Sequence, residues 1–327
     1  MTDVSRGRGS FLSSPAPRRE AAQRLQPRRA PNFFLAGALK AGTTSLYHYL
    51  AQHAQIFMCP IKEPTFFGAS DLLRDNGFLR RQERDRPALE SFLRGPQSAP
   101  ASLYVSEWSD YLELFRNVRD EIAIGEASGG YLLLPGAAAA IRTRIPDARL
   151  IFILRHPVEV AFSWYVLTLA READLTFAEW FRKEIRAKEY RATDVGLYAS
   201  HLQRFMDVFP VGQLRIYLYE DFQRDARSLL RDVFSFLGVD PDHPIDTSTR
   251  HNQTSVPRFP KLERLGRRWL GPFLPPRAKR ALRGLVRRGR ESFTLDAESR
   301  CMAIDYYRDE ITRTAALIRR DLSAWLR

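Results

Sequence analysis

The feature that most constrains the fold is a short apolar run followed by a glycine-bearing loop and a helical pattern. Residues 32–37 read Asn-Phe-Phe-Leu-Ala-Gly, and a helix-compatible stretch extends from Thr43 to about His53. This pattern predicts a strand, a tight loop and a helix in direct succession. Loop N–H groups and the partial positive charge at the helix start, about half an elementary charge, favour an anion at such a junction. The sequence therefore predicts an anion-binding site here.

The loop departs from the nucleotide-binding template G-x-x-x-x-G-K-[ST] in the position of its lysine. Thr43 stands at the template's lysine position, and Lys40 lies inside the loop. The chain holds only six lysines against 45 arginines, which favours a specific role for Lys40. A lysine at this point can meet an oxygen on which negative charge develops during group transfer.

A second candidate anion site begins at Arg155, directly after an apolar run. A nucleotide hydrolase usually has an acidic, metal-holding residue there, so magnesium-assisted phosphoryl transfer is disfavoured and no metal is expected. The Arg155 guanidinium can make a bidentate contact to a phosphate. Ser163, about two helical turns further on, can donate a hydroxyl hydrogen bond toward the same region. Only the pairing with the first loop favours a binding role for Arg155 over a structural one.

The spacing of strand-like and helical segments predicts an α/β fold. Further strand-like runs cover residues 56–58, 121–125, 149–154 and 214–218, and helical patterns separate them. This alternation is typical of a parallel sheet. The run at residues 150–154 is apolar on both faces, which predicts a central strand covered by helices on each side. We predict a P-loop-like three-layer fold with a central parallel sheet of about four or five strands flanked by helices.

Three helix boundaries also follow from the sequence. Thr176-Phe-Ala-Glu179 fits a capping box that opens a helix to about Lys188. Gly238 is expected to end a helix over residues 226–237. The segment 296–325 is amphipathic and helical in pattern.

The net charge of +13 suggests an anionic partner, but the charge is unevenly distributed. Residues 1–30 hold seven arginines and two acids, and their composition predicts a disordered basic tail before a domain at residues 31–327. Residues 258–290 hold twelve basic residues and one acid. This basic helical segment could bind an acidic glycan, an anionic lipid or a membrane surface, or it could be a solvated helix face. Nucleic acid is disfavoured because no recognised binding module is present.

The expected location is the cytoplasm, where residues 258–290 could also attach the protein to a membrane surface. The chain has two cysteines, too few for a disulfide framework. It also has neither an apolar span nor the apolar core of a signal peptide.

Taken together, the two anion motifs resemble those of sulfotransferases that use 3′-phosphoadenosine 5′-phosphosulfate (PAPS), most closely the heparan sulfate and related bacterial enzymes. Residues 40–45, Lys-Ala-Gly-Thr-Thr-Ser, resemble the family's 5′-phosphosulfate loop, and residues 155–163 resemble its 3′-phosphate site. The similarity covers about residues 31–238 and the last 30 residues. Weaker matches are Lys62-Glu-Pro-Thr-Phe-Phe67, Gly125-Glu-Ala-Ser128 with Tyr131, Gly196-Leu-Tyr198, Tyr219-Glu-Asp221 and Phe236-Leu-Gly238.

The resemblance implies a metal-free, in-line transfer of a sulfuryl group from PAPS to an acceptor hydroxyl, plausibly of a carbohydrate or glycolipid. Lys40 would stabilise the leaving phosphate. The donor would be held by Lys40, Ala41, Gly42, Thr43, Thr44 and Ser45 at its 5′ side, and by Arg155 and Ser163 at its 3′-phosphate.

The resemblance also implies a base for the acceptor. Glu63 matches the position of a catalytic glutamate in heparan-type members, and Lys62 beside it could hold an anionic acceptor. A surface Lys-Glu pair before a proline is the alternative. The histidines at positions 48, 53, 156 and 251 are rival bases, each expected to be mainly structural.

Some residues depart from the heparan-type pattern. Gly129-Gly130 stands where a Ser-Pro pair is usual, and Ala127 replaces a lysine that engages sulfated polysaccharide, which leaves the acceptor class open. The last cofactor loop has only an approximate counterpart at residues 251–258.

Two other functions compete with this one. A P-loop kinase would need ATP and Mg²⁺, so EDTA would abolish its activity. A non-catalytic protein that binds polyanions or membranes would depend on residues 258–290 and would not bind 3′,5′-bisphosphoadenosine.

Overall fold

The computed structural model describes residues 30–68, 71, 76–95, 103–169, 175–187, 191–249, 255–257, 287–289 and 294–327. Five parallel strands, in the order β2-β3-β1-β4-β5, form its central sheet. They are β1 (Phe33–Gly37), β2 (Ile56–Met58), β3 (Ala123–Ala127), β4 (Arg149–Leu154) and β5 (Leu214–Leu218).

Helices flank this sheet, which confirms the predicted P-loop-like α/β fold. They are α1 (Thr43–Leu50), α2 (Asn76–Arg94), α3 (Trp108–Glu113), α4 (Ala137–Arg144), α5 (Pro157–Thr168), α6 (Phe177–Arg186), α7 (Tyr198–Met206), α8 (Tyr219–Arg224), α9 (Ala226–Leu237) and α10 (Ala297–Ile318). Short 3₁₀ turns cover Phe66–Gly68, Ala192–Gly196, Val211–Gln213 and Ser323–Leu326. None of the helices in the described ranges is long and apolar enough to cross a bilayer.

The inner strands are buried because helices cover both faces of the sheet. Every residue of β1 and β3 is buried, and β4 is buried from its second residue onward. The run predicted to be a covered central strand is β4, which lies between β1 and β5. Apolar residues on both faces suit this environment.

The third strand is displaced from its predicted position. The sequence predicts residues 121–125, whereas β3 runs from Ala123 to Ala127. Ile122 is 51% exposed and precedes the strand. The strand instead continues through Glu126, whose charged side chain made this end look like a loop.

Helix boundaries follow local capping chemistry. The predicted capping box is confirmed, since Thr176 and Glu179 each accept a backbone N–H from the other. Gly238 ends α9 with a left-handed backbone, φ +76°, as expected. The first helix ends at Leu50 rather than His53, and α10 ends where Arg319 adopts φ +53°.

The basic tail and most of the basic segment lie outside the described residues. Within residues 258–290, Arg287–Gly289 is described and forms strand β7, where a helix was expected. It pairs antiparallel with β6, Ser255–Pro257. The approximate last cofactor loop overlaps β6, but its His251 and Arg258 lie outside the description.

Candidate active site

The loop after β1 is held by backbone contacts to the sheet and by an aromatic ring. The Ala38 N–H donates to the Ile153 carbonyl at 2.8 Å, which ties the loop to β4. Lys40 has φ +65° and Gly42 has φ +99°. A Cβ at Gly42 would lie 2.9 Å from the Tyr219 ring, so this position requires glycine on two counts.

The start of α1 can accept an anion. Its first intrahelical bond runs from the Leu46 N–H to the Gly42 carbonyl, and no side chain caps the helix. The N–H groups in the first turn of an α-helix have no acceptor within the helix, and those of Thr43 and Thr44 lie at this end of α1. The turn holds Thr43, Thr44 and Ser45, the hydroxyl residues predicted for the 5′ side of the donor.

Arg155 joins the second motif to this loop. Its Nη1 donates to the Lys40 carbonyl at 3.2 Å, and its guanidinium lies 4.6 Å from the centre of the Tyr219 ring. Glu159, one turn into α5, forms an ion pair with Arg155 at 3.4 Å and with Arg300 at 3.1 Å. The two predicted anion motifs therefore meet at one place, beside the carboxyl ends of β1 and β4.

Ser163 lies two turns into α5 and is fully buried, whereas the Arg155 side chain is 13% exposed. Arg155 is therefore the more accessible of the two predicted 3′-phosphate anchors. Arg155 follows β4 directly and Ser163 lies within α5, the next helix.

Lys62 and Glu63 follow β2 in a segment with unusual backbone angles. The Lys62 ammonium and Glu63 carboxylate are 2.8 Å apart, with side chains 19% and 25% exposed. Glu63 has φ +61° and Thr65 has φ +54°. Left-handed angles at residues other than glycine cost about 1–3 kcal/mol and collect at functional sites.

The turn after β3 connects this segment to the Lys40 loop. The Glu63 N–H donates to the Ala127 carbonyl at 2.8 Å. Two residues further on, a Cβ at Gly129 would lie 3.6 Å from both the Leu39 nitrogen and the Thr43 hydroxyl. The turn after β3 thus contacts both the Glu63 segment and the anion loop.

Glu126, a buried carboxylate in β3, was named only within the weak match Gly125-Glu-Ala-Ser128 with Tyr131 and was assigned no role. Glu126 has no exposed surface and accepts hydrogen bonds from Tyr111 at 2.6 Å, Tyr131 at 2.9 Å and Ser128 at 2.5 Å. Burial raises the pKa of Glu126 from 4.5 to about 7, and these hydroxyl donors partly oppose the rise. The available signal was an acidic residue between Gly125 and Ala127 in a strand-like run.

Two of the rival bases have structural roles. Both ring nitrogens of His53 bond to backbone atoms, of Asp240 at 2.9 Å and Gln55 at 3.0 Å. His156 caps α5 by accepting the Val158 N–H, and burial lowers its pKa to about 4. His48 is exposed on α1, and His251 lies outside the described residues. In the described ranges, no group of three or more His, Cys, Asp or Glu side chains is arranged to hold a metal ion.

Comparison with known proteins identifies the class. Residues 31–243 match the sequence model of the Sulfotransferase family, and the chain belongs to this family. The predicted resemblance is thereby confirmed. The transferase class follows from this membership.

Among solved structures, the chain is similar to a sulfotransferase from Alicyclobacillus acidocaldarius. The two are 31% identical, with a TM-score of 0.65, and the match covers 91% of this chain and 100% of the other. The chain is also 26% identical to the bifunctional heparan sulfate N-deacetylase/N-sulfotransferase 3 of Homo sapiens and 25% identical to that of Mus musculus. These matches cover 91% of this chain and 31% of each relative.

Proposed function

We propose that the protein transfers the sulfuryl group of PAPS to an acceptor hydroxyl, without a metal. The observation that carries the proposal is the contact between Arg155 and the Lys40 carbonyl, because it joins two anion-binding motifs into one site. PAPS has two separate anionic groups, a 5′-phosphosulfate and a 3′-phosphate. A site with two adjoining anion cradles suits such a donor.

The residues present fit this donor. The uncapped start of α1 offers N–H groups, and the residues from Lys40 to Ser45 would hold the 5′ side. Arg155 would hold the 3′-phosphate. Ser163 is fully buried, so its hydroxyl would reach the phosphate only after a local rearrangement of α5. When bound, PAPS supplies an activated sulfuryl group. The Lys40 ammonium would neutralise charge on the leaving phosphate oxygen, a contribution worth about 2.7–4 kcal/mol in comparable sites.

On the acceptor side, the Glu63 carboxylate would take the proton of the acceptor hydroxyl as its oxygen attacks the sulfur. The ion pair with Lys62 and the bond from the Glu63 N–H to Ala127 orient this carboxylate. A base so positioned typically contributes about 10²- to 10⁴-fold in rate. Lys62 would also attract an anionic acceptor.

The acceptor is proposed to be a carbohydrate or glycolipid. The relatives named above support a glycan, since their names specify heparan sulfate. Those names also specify N-sulfotransfer, in which the acceptor atom is nitrogen, so oxygen and nitrogen acceptors need to be compared directly. We also propose a cytoplasmic location, with residues 258–290 binding an anionic glycan or membrane surface.

The direct test incubates the purified protein with ³⁵S-labelled PAPS and heparan-type oligosaccharides in two forms. One form is fully N-acetylated and offers only hydroxyls, and the other also has free amines. We expect label on the N-acetylated form, and the same rate in excess EDTA. Label only on the free-amine form would contradict the hydroxyl proposal, and loss of transfer in EDTA would contradict the metal-free one.

A further inference from the structure

The segment Lys62–Phe67 contains the proposed base and two strained backbone positions, so something must hold it in place. Glu63 and Thr65 both have positive φ, which an L-residue leaves readily unless neighbouring groups oppose the change. Three alternate N–H groups of this segment, those of Glu63, Thr65 and Phe67, bond to residues 127–131. These bonds tie the segment to the end of β3 and to the turn that follows it.

Two of the three acceptors are side-chain hydroxyls rather than backbone carbonyls. The Thr65 N–H donates to the Ser128 Oγ at 3.1 Å, and the Phe67 N–H donates to the Tyr131 hydroxyl at 3.3 Å. A hydroxyl can both donate and accept, so by itself it does not favour accepting from an amide.

Glu126 decides this direction. Above pH 7, where it is mainly ionised because burial raises its pKa to about 7, the carboxylate only accepts, and the Ser128 and Tyr131 hydroxyls donate to it at 2.5 Å and 2.9 Å. Because both hydroxyl hydrogens point to Glu126, the lone pairs of the Ser128 and Tyr131 hydroxyls accept the N–H groups of Thr65 and Phe67. Two relays result, each running from an amide through a hydroxyl to one carboxylate oxygen.

We propose that Glu126 is a positioning residue that holds the Lys62–Phe67 segment, and with it Glu63, in the reactive conformation. This inference rests on the proposed role of Glu63 as the base. Glu126 is the last acceptor in both relays and is fully buried. It therefore acts through Ser128 and Tyr131 without touching substrate.

The structure contains a matched control for this role. Tyr111 and Tyr131 both donate to the same Glu126 oxygen, Oε2, and both are fully buried. Only Tyr131 also accepts an N–H from the segment. Tyr111→Phe and Tyr131→Phe therefore each remove one phenolic donor from the same carboxylate oxygen, and only Tyr131→Phe interrupts a relay.

The test measures amide hydrogen exchange in the Lys62–Phe67 segment of the full chain, with fragmentation to resolve single residues. We expect Tyr131→Phe to speed exchange at Phe67 by roughly five- to tenfold, Ser128→Ala to do so at Thr65, and Glu126→Gln to do so at both. Tyr111→Phe should leave both amides within about twofold of the wild type. Equal effects of the two tyrosine variants would overturn the proposal.

Kinetics and ligand binding separate this proposal from the proposed function. In the labelled-PAPS assay with the N-acetylated oligosaccharide, Glu126→Gln should lower kcat and leave the KM for PAPS unchanged, while Tyr111→Phe retains the wild-type kcat. A matching rise in the KM for PAPS would contradict a role confined to the segment. If the wild type neither binds 3′,5′-bisphosphoadenosine nor transfers label, the proposed function fails, and the exchange data still decide whether Glu126 holds the segment.

Discussion

At the scale of single residues, the chemistry depends on a few groups with defined partners. Arg155 contacts the Lys40 carbonyl, Lys62 pairs with Glu63, and Glu126 accepts hydrogen bonds from three hydroxyls. Arg155, Lys40 and the Lys62–Glu63 pair could be predicted because a motif places each of them after a strand. Glu126 could not, because its role depends on Ser128 and Tyr131 each accepting an amide N–H from the Lys62–Phe67 segment, a tertiary contact that no sequence pattern marks.

We expect Glu63→Gln to lower the turnover of sulfuryl transfer by about 10²- to 10⁴-fold, because glutamine cannot take the acceptor proton. Binding of 3′,5′-bisphosphoadenosine should stay at the wild-type level, since Glu63 lies on the acceptor side. Steady-state kinetics with labelled PAPS and calorimetry measure the two effects. The control is Glu107→Gln, an exposed glutamate before α3. Full turnover in Glu63→Gln would remove Glu63 as the base.

Glu126 should make stability depend on pH. Burial raises its pKa to about 7, so between pH 4.5 and 7 the folded state holds a proton that the unfolded state has released. Unfolding thus becomes easier as pH rises through this range. Tyr111, Tyr131, Cys59 and Glu63 are the titratable groups that act on this carboxyl or are acted on by it.

The free energy of unfolding of the wild type, relative to Glu126→Gln, should fall by roughly 2–3 kcal/mol between pH 5 and pH 8. Urea denaturation of both proteins at the two pH values measures this difference. Other titrating groups are common to both proteins, so their contributions largely cancel. A difference that does not change with pH, or that grows toward pH 8, would contradict a raised pKa at Glu126.

At the scale of elements, strands and caps were predictable where local chemistry determines them. The capping box at Thr176 and the end of α9 at Gly238 need only neighbouring residues, and both are confirmed. The third strand was placed two residues early because its end is stabilised by distant hydroxyls around Glu126. Tertiary contacts, rather than propensity, set that boundary.

The loop after β1 depends on glycine at position 42. Gly42→Ala would place a methyl group 2.9 Å from the Tyr219 ring at φ +99°, so we expect a loss of about 1–3 kcal/mol in stability. Affinity for 3′,5′-bisphosphoadenosine should also fall, because the loop shifts. Denaturation and calorimetry measure both effects.

Gly212→Ala is the matched control, because a Cβ there meets nothing within 4 Å. Gly212→Ala should change the free energy of unfolding by no more than about 0.5 kcal/mol. It should leave the affinity for 3′,5′-bisphosphoadenosine unchanged. If Gly42→Ala behaves like Gly212→Ala, the loop is less constrained than its contacts indicate.

At the scale of the whole molecule, the five-stranded sheet brings separate motifs to one edge. The segments that follow β1, β2, β3 and β4 carry Lys40, Glu63, the turn at Gly129 and Arg155. Carboxyl ends of parallel strands meet at the same edge, which is where ligands bind in such folds. The pairing of the Lys40 loop with Arg155 was predicted from the sequence and the place of Glu63 from the resemblance, whereas the strand order that brings these segments together was not predicted.

The net charge of +13 arises from parts of the sequence other than the motifs of the proposed donor site. Its excess lies in residues 1–30 and 258–290, and most of these residues are outside the described ranges. The proposed donor site depends instead on a few side chains and loop N–H groups at defined positions, and Arg155 connects its two halves through the Lys40 carbonyl.

The most direct test titrates 3′,5′-bisphosphoadenosine into the wild type, Arg155→Ala and the control Arg227→Ala by calorimetry. Arg227 is exposed on α9, outside the segments that carry the site residues. We expect one ligand per chain for the wild type and the control, and an affinity about 10- to 100-fold weaker for Arg155→Ala, since a charge-assisted contact is lost. No binding to the wild type at high micromolar concentration, or equal affinity for all three proteins, would contradict the account.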